Sequence, residues 1–456
     1  MNKIQQISQI EATLPLYQEN ELLSLYRSGF ESSELGKVYR LFPFSSIANT
    51  FGLRDNPHGR SSYFSKEGKI ALMLLKSYSG LSDERLIEQI NGSIYYQFFC
   101  GIFIRPGKEI KDSKLVSKIR CELAHRLDMD SFQKILADTW KPLMSNIGVM
   151  MSDATCYESH LRFPTNEKLL WESTEWIYAQ MVDICKSLKI CRPRSKYDDI
   201  HKRYLNFSRI RKKTEKKKKK LRTSLLYLLS KLCNQLDDLE RDYSDKLELD
   251  GFYHKRRNII RAILEQQRQM HDTGGSVPSR IVSIDKHYVR PIVRGKETKA
   301  VEFGAKANLI QVDGINFVEH IDFKAFNEGT RGISSIQYAQ VLFRKRVTHF
   351  AADAIYATNK TRKYCSSRTN PIYTSFVPKG KKSKDEKQRK VLRSILSKER
   401  ATRLEGSFGT EKEHYNLRKI KARTKQTEIL WILFGIHTAN AFRLAQRESK
   451  TIEKAA

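Results

Sequence analysis

Cysteine is sparse in this chain. The seven thiols, Cys100, Cys121, Cys156, Cys185, Cys191, Cys233 and Cys365, are odd in number, scattered, and contain no C-x-x-C pair. That pattern disfavours a disulfide framework and a structural zinc site. Long apolar runs are missing as well. None approaches the ~18 residues of a membrane span, and the start, MNKIQQISQIEATLPLY, has no apolar signal-peptide core. The expectation is a cytoplasmic protein with reduced thiols and no membrane partner. Negative charge is the third deficit: 51 Asp and Glu face 83 Lys and Arg, a formal net charge of +32 over 456 residues. Such an excess calls for a polyanionic partner, nucleic acid first, with a merely soluble basic surface as the plainer alternative. With 40% hydrophobic and 10% aromatic residues the chain has the composition of a folded protein, long enough for two or three domains.

Residues 1–140 read as an all-α N-terminal domain for DNA binding or dimerisation. SKEGKIALMLLKSYSG is a helix ended by Gly80, and Ser82 is expected to cap the next one, with Asp83 and Glu84 in its first turn. The texture changes at residues 144–166, where the apolar run IGVMM reads as a strand ending at Asp153. Residues 167–272 return to helical periodicity as a basic insertion. Within it Arg192 to Arg222 hold 15 Lys or Arg against three acids, including the run Lys216, Lys217, Lys218, Lys219, Lys220. A run of this density suits phosphate tracking, although a solvated helix face has the same look. HDTGGSVPSR breaks the helical pattern, and the period then shifts toward two. RIVSIDKHYVRPIVRG, KAVEFGAKANLIQVDG and INFVEHIDF read as three strands, the last two joined by a VDGIN hairpin. A helix is expected at 333–345, then strands at HFAAD and NPIYTSFVPKG, then closing helices. The expected class is α/β: a mixed sheet, residues 141–166 and 273–450, interrupted after its first strand by the helical insertion.

Two short segments, VMMSDATCY and HFAADAIYA, each run from apolar residues into Asp-Ala. On adjacent strands they would place Asp153 and Asp353 side by side, where two carboxylates repel unless a cation lies between them. A strand-end Asp on its own is more often a turn or cap residue. The pair gains from RLEGSFGTEKEHYNL, in which Glu405 sits in an expected helix and Lys412 lies about two turns further along the same face. Glu405 can complete a three-carboxylate site and Lys412 can meet a phosphate. Oxygen ligands without neighbouring His or Cys favour Mg²⁺ or Mn²⁺. Asp285, in VSIDKHY, competes for the first carboxylate, whereas Asp313 reads as a turn residue.

With these residues in place the chain resembles the DDE transposases of bacterial insertion sequences, which have a ribonuclease-H-like core. GLSDERLIEQINGSIYYQFFCGI is similar to the family's helical N-terminal domain, and SDATCYESHLRFPTNEKLL to the segment around its first catalytic Asp. RPIVRGKETKAVEFGAKANL resembles the strands that follow, HFAADAIYATNKTRKYC the second Asp, and RLEGSFGTEKEHYNL the catalytic Glu and its downstream Lys. The resemblance implies Asp153, Asp353 and Glu405 as catalytic and metal ligands holding two Mg²⁺ ions about 3.5–4 Å apart, with Mn²⁺ able to substitute. It implies hydrolytic nicking at terminal inverted repeats, strand transfer of the 3′-hydroxyl to target DNA, and a homodimer that pairs two ends. DNA contacts are expected from Lys412, Arg403 and the Lys216–Lys220 run. One departure is visible. Many relatives carry Arg four residues before the Glu, and here that position is Ala401, flanked by Arg400 and Arg403. Gly406 and Gly409 also weaken the helix around Glu405, by about 1 kcal/mol each relative to Ala.

The alternatives are a catalytically inactive or repurposed DNA-binding protein, a ribonuclease-H-like nuclease, and a tyrosine recombinase. For the last, the stretch HKRR, His254 to Arg257, is a chance-level signal in so basic a chain.

Overall fold

The computed structural model describes residues 4–6, 17–55, 62–105, 107–293, 301–377 and 385–455. Residues 294–300, inside one of the family-like segments, and 378–384, which hold the end of NPIYTSFVPKG and the start of the helix after it, lie outside that set. The chain divides into two compact units. The first comprises Met1–Ser159, Ala305–Asp322 and Phe326–Ala456, and the second His160–Gly304 with Phe323–Ala325.

The first unit begins with a short strand β1 (Ile4–Gln6), paired antiparallel with β2 (Ile102–Ile104), and eight helices. These are α1 (Tyr17–Ser32), α2 (Glu34–Leu41), α3 (Phe44–Thr50), α4 (Lys66–Ser79), α5 (Asp83–Gly92), α6 (Ile94–Phe99), α7 (Leu115–His125) and α8 (Met129–Trp140). Their boundaries follow capping chemistry. Ser33, Ser65 and Ser82 each accept the N–H three residues on, from Gly36, Gly68 and Arg85. Gly80 ends α4 in the left-handed conformation at φ 63°, as the sequence indicates.

The sheet starts with β3 (Val149–Glu158). Its other strands are β4 (Pro291–Val293), β5 (Val301–Val312), β6 (Ile315–Asp322), β7 (His349–Ala352) and β8 (Tyr373–Thr374). In space the order is β6–β5–β3–β7–β8, with β4 against the first residues of β5. β5 and β6 form the expected antiparallel hairpin. Its two-residue turn, Asp313–Gly314, has positive φ at both positions, 48° and 78°, which Asp and Gly tolerate. β7 is parallel to both β3 and β8. Between strands run α13 (Gly332–Phe343) and α14 (Asn359–Cys365), and after β8 come α15 (Glu386–Glu399), α16 (Glu405–His414) and α17 (Lys425–Ala455). α17 packs on α2, α4 and α7 on one side and on β6 on the other, so one apolar helix closes the core of this unit. Within that core His437 lies fully buried against Phe132, Trp140 and Phe317.

The second unit is built on α9 (Asn166–Ser187), α10 (Tyr197–Arg209), α11 (Glu215–Asp242) and α12 (Gly251–Thr273). Leu225, Leu229, Leu232 and Leu236 recur at helical spacing along α11 and pack with Ile177, Met181, Ile260 and Ile263.

Two strand expectations need correction. Among its described residues RIVSIDKHYVRPIVRG is mostly irregular, with only Pro291–Val293 extended as strand. Its apolar residues Ile281, Val282, Ile284 and Val289 are buried without a ladder, so burial produced the strand-like pattern. Among its described residues NPIYTSFVPKG contributes a strand of two residues, Tyr373–Thr374. The cysteines are all free. Cys121 and Cys191 are exposed and the other five are buried.

Candidate active site

β3 and β7 run side by side in register, Met151 opposite Ala351 and Ser152 opposite Ala352. One residue further stand Asp153, still on β3, and Asp353, just past the end of β7, so the ladder leaves their backbones near the strand spacing of about 4.8 Å. Both carboxylates are held by the same local device: Oδ1 accepts the N–H of the following alanine, at 2.8 Å for Ala154 and 2.6 Å for Ala354. Their settings differ. Asp353 is exposed and caps a single 3₁₀ turn, Ala354–Tyr356. Asp153 does not end its strand, contrary to the reading of IGVMM. β3 continues to Glu158 because Ala154, Cys156 and Tyr157 are buried. Asp153 is therefore a mid-strand carboxylate whose side chain is only 15% exposed.

The third acid arrives on a helix with an unusual turn. α15 passes into a π-helical segment, Arg400–Leu404, and α16 begins at Glu405, whose N–H reaches back five residues to the Arg400 carbonyl. In an uninterrupted α-helix side chains five apart point about 140° from one another. Here the wider turn brings them to one side. The Arg400 guanidinium donates from Nη1 to Asp153 Oδ2 at 2.7 Å and lies 3.0 Å from Glu405 Oε1. The arginine missing from position 401 is thus matched by one at 400. Arg400 is 15% exposed, Glu405 51%. Burial raises the Asp153 pKa to about 6, with Arg400 pulling it down and Glu328 and Glu405 adding to the rise. A positive charge at this position is what keeps a buried carboxylate ionised near neutral pH.

Gly406 and Gly409 do not break the helix, which runs on to His414, and a Cβ at either would point into open space. Lys412 is half-buried. Its Nζ donates to Thr155 Oγ1 at 2.8 Å and lies 5.7 Å from the Tyr157 ring centroid. Thr155 is two residues beyond Asp153, hence on the same face of β3. Arg403 is exposed and pairs with Glu399 at 2.5 Å along the helix.

α16 is pinned to the sheet by polar groups that sequence reasoning misses. Glu411 is buried, and its Oε2 accepts the Tyr157 hydroxyl at 2.7 Å while Oε1 accepts from Asn316 Nδ2. Asn316 Nδ2 also reaches Ser407 Oγ at 2.8 Å, and Gln311 Nε2 donates to Asn316 Oδ1 at 2.8 Å. Burial raises the Glu411 pKa, opposed by the bonds from Tyr157 and Asn316. Three strands thereby fix the helix that carries Glu405. The only trace of this in the sequence is a second Glu adjoining Lys412.

The other expected residues fall elsewhere. Lys216, Lys217, Lys219 and Lys220 are exposed on the first turns of α11, and Lys218 pairs with Glu215 at 2.6 Å. They belong to the second unit. Asp285, the rival first carboxylate, lies in that unit outside any strand, is 74% exposed and is paired with Arg256 at 2.7 Å. Asp313 is the expected turn residue, held by Arg447 and the Ser145 N–H. In the HKRR stretch, Arg257 is bound to Asp237 and Glu240, which commits it to packing α12 on α11.

Asp153 and Glu405 meet through Arg400, and Asp353 follows the last residue of β7 paired with β3, one position along from Ser152–Ala352. Among the described residues no three His, Cys, Asp or Glu side chains are gathered into a metal-binding group in this state. The donor chemistry nevertheless fits a hard divalent cation. All donors are carboxylate oxygens, and a positive charge already lies between two of them.

Residues 25–122, from within α1 to α7, match the family model of a transposase domain (DUF772). The match supports a transposase, a DNA-processing enzyme, as the class of this protein. No curated protein and no solved structure matches the chain. Among the described residues no helix is long and apolar enough to cross a membrane.

Proposed function

We propose that this protein is a DDE transposase of an insertion sequence, with a ribonuclease-H-like core in which Asp153, Asp353 and Glu405 are the acting carboxylates. The observation that carries this reading is the placement of Asp153 on β3 and of Asp353 directly after the neighbouring parallel strand β7, with Glu405 joined to Asp153 through one guanidinium. The strand order supports the fold assignment. The first strand of the sheet is central, with an antiparallel hairpin on one side and two parallel strands on the other.

In this reading the reaction is hydrolysis of a phosphodiester at the element's end, which leaves a 3′-hydroxyl and a 5′-phosphate, followed by attack of that hydroxyl on a phosphodiester of target DNA, which expels the target strand's own 3′-oxygen. No protein–DNA bond forms. When bound by the three carboxylates, Mg²⁺ (or Mn²⁺) would supply the Lewis-acid activation of water and leaving oxygen. The chain's own part is to fix the ligands. The ladder sets the spacing of Asp153 and Asp353, and the Ala154 and Ala354 N–H groups orient their carboxylates. Lys412 sets a positive charge two residues from Asp153, where a strand's phosphate would be drawn, and Arg403 extends it along the helix. Lys216–Lys220 and the N-terminal helices would hold further duplex DNA. Such an enzyme would work in the cytoplasm on nucleoid DNA as a homodimer, since two element ends must be paired.

The test is Asp353→Ala. Asp353 is exposed, so the fold should survive its loss. Mg²⁺-dependent nicking of DNA carrying the element's ends should vanish while binding to those ends persists. Full cleavage by the variant would sink the assignment.

A further inference from the structure

We infer that Arg400 is the resting counter-ion of the carboxylate site, and that a divalent cation binds there by displacing its guanidinium. The inference rests on the three-carboxylate reading above. It adds a competition that the reading does not contain.

Arg400 touches the carboxylates that would be ligands. One nitrogen, Nη1, contacts both Asp153 Oδ2 and Glu405 Oε1, at 2.7 and 3.0 Å. An arginine serving only to staple a helix to a sheet needs no more than a bystander acid. This one directs its contacts to the two acids that define the site, and it is as buried as Asp153.

The backbone is shaped to allow it. Without the π turn, Arg400 and Glu405 would face different directions, and one guanidinium nitrogen could not contact both Glu405 and β3. π turns inside α-helices are rare and concentrate at functional sites. This one lies immediately before the acid it serves.

The charge pattern explains the need. Asp153 is half-buried, and the charges of Glu328 and Glu405 both act on it. A buried carboxylate among other carboxylates has to find a cation. Arg400 provides one, a guanidinium whose planar donors suit carboxylate oxygens. The contacts through Nη1, 2.7 and 3.0 Å, are longer than the ~2.1 Å bonds of a hard cation such as Mg²⁺, so Asp153 and Glu405 can sit further apart than a shared cation would hold them. That agrees with the absence, among the described residues, of a closed three-acid group in this state.

The consequence is that intrinsic metal affinity is masked. The protein, without DNA, should bind Mn²⁺ weakly, because each binding event must break both Arg400 contacts. Titration of Mn²⁺, followed by electron paramagnetic resonance of the free ion, reads this directly. Arg400→Gln should bind Mn²⁺ at least about tenfold more tightly than the wild type. Arg400→Lys, with a single point charge on a thinner stem, should fall between them. Asp153→Asn should abolish the weak binding of the wild type and the tighter binding of Arg400→Gln alike. If Asp153-dependent binding is seen and neither Arg400 variant tightens it, the counter-ion role is wrong while the three-carboxylate reading stands. If no form binds Mn²⁺ in an Asp153-dependent way, the reading itself fails and this inference with it. Should Arg400→Gln not fold, as judged by its circular-dichroism melt, Arg400→Lys against wild type decides, and equal affinities overturn the proposal.

Discussion

Tyr157→Phe removes one hydroxyl from the interior of the first unit and should loosen the helix that carries Glu405. Tyr157 is fully buried on β3, and its hydroxyl donates to Glu411 Oε2 at 2.7 Å. Deleting it leaves a buried acceptor short of its donor. A hydrogen bond to a charged group is worth about 1.5–3 kcal/mol, and a stranded buried group adds its own desolvation penalty. A loss of about 2 kcal/mol is therefore expected, equivalent to about a thirtyfold shift in a local opening equilibrium. Glu411→Gln keeps an acceptor for the hydroxyl but makes it neutral, so Tyr157→Phe in that background should cost only about 1 kcal/mol. The double-mutant cycle then closes with a coupling energy of about 1 kcal/mol. The assay has to read the helix, since a chain of two units is not expected to unfold in one step. Hydrogen exchange of the amides in 405–414, measured by mass spectrometry, reports the opening free energy of that segment. Tyr157→Phe should accelerate exchange there and leave α11, in the other unit, unaffected. Unchanged protection of 405–414, or effects of the two substitutions that add to within about 0.5 kcal/mol, would refute the view that the Tyr157–Glu411 bond fixes this helix.

Two more tests concern charge. Replacing the exposed Lys216, Lys217, Lys219 and Lys220 with Gln should weaken DNA binding and flatten its salt dependence, by about 0.9 in the log–log slope for each DNA phosphate that these lysines neutralise; an unchanged slope would mean that the run is only a solvated helix face. His437 is held neutral, its pKa pushed down to about 3 by burial, so from about pH 6.5 downward the unfolded chain binds a proton that the folded chain does not. Its contribution to stability is complete above pH 6.5 and is lost as the pH falls toward 3. By pH 5 about 2 kcal/mol should have gone, and His437→Gln should show a smaller drop in melting temperature between pH 8 and pH 5 than the wild type, equal drops counting against the argument.

Much of the frame is legible in the sequence because local chemistry and tertiary structure agree there. Ser82 and Gly80 bound helices through their own side chain and backbone, and VDGIN turns because Asp313 and Gly314 accept positive φ. The misreadings arise where burial alone makes the pattern. Ile281, Val282, Ile284 and Val289 are apolar because they are buried, which alternation cannot distinguish from a strand. Asp153 reads as a strand end because a carboxylate is an unexpected mid-strand residue, and the burial that keeps β3 going comes from residues beyond it. Arg400 escapes for a geometric reason. Helical reasoning pairs positions three and four apart, and no local signal announces a π turn. Glu411 escapes because its partners, Tyr157 and Asn316, are distant in the chain.

The thiols offer a way to watch this molecule move. Cys121 lies on α7 in the first unit and Cys191 follows α9 in the second, and both are exposed. The other five are buried, and burial raises the thiol pKa of Cys233 to about 11 and of Cys365 to about 12. Since the thiolate is the reactive form, a maleimide probe should find Cys121 and Cys191 first. The unaltered protein thus carries one reactive handle in each unit, a ready pair for measuring how the distance between them responds to DNA.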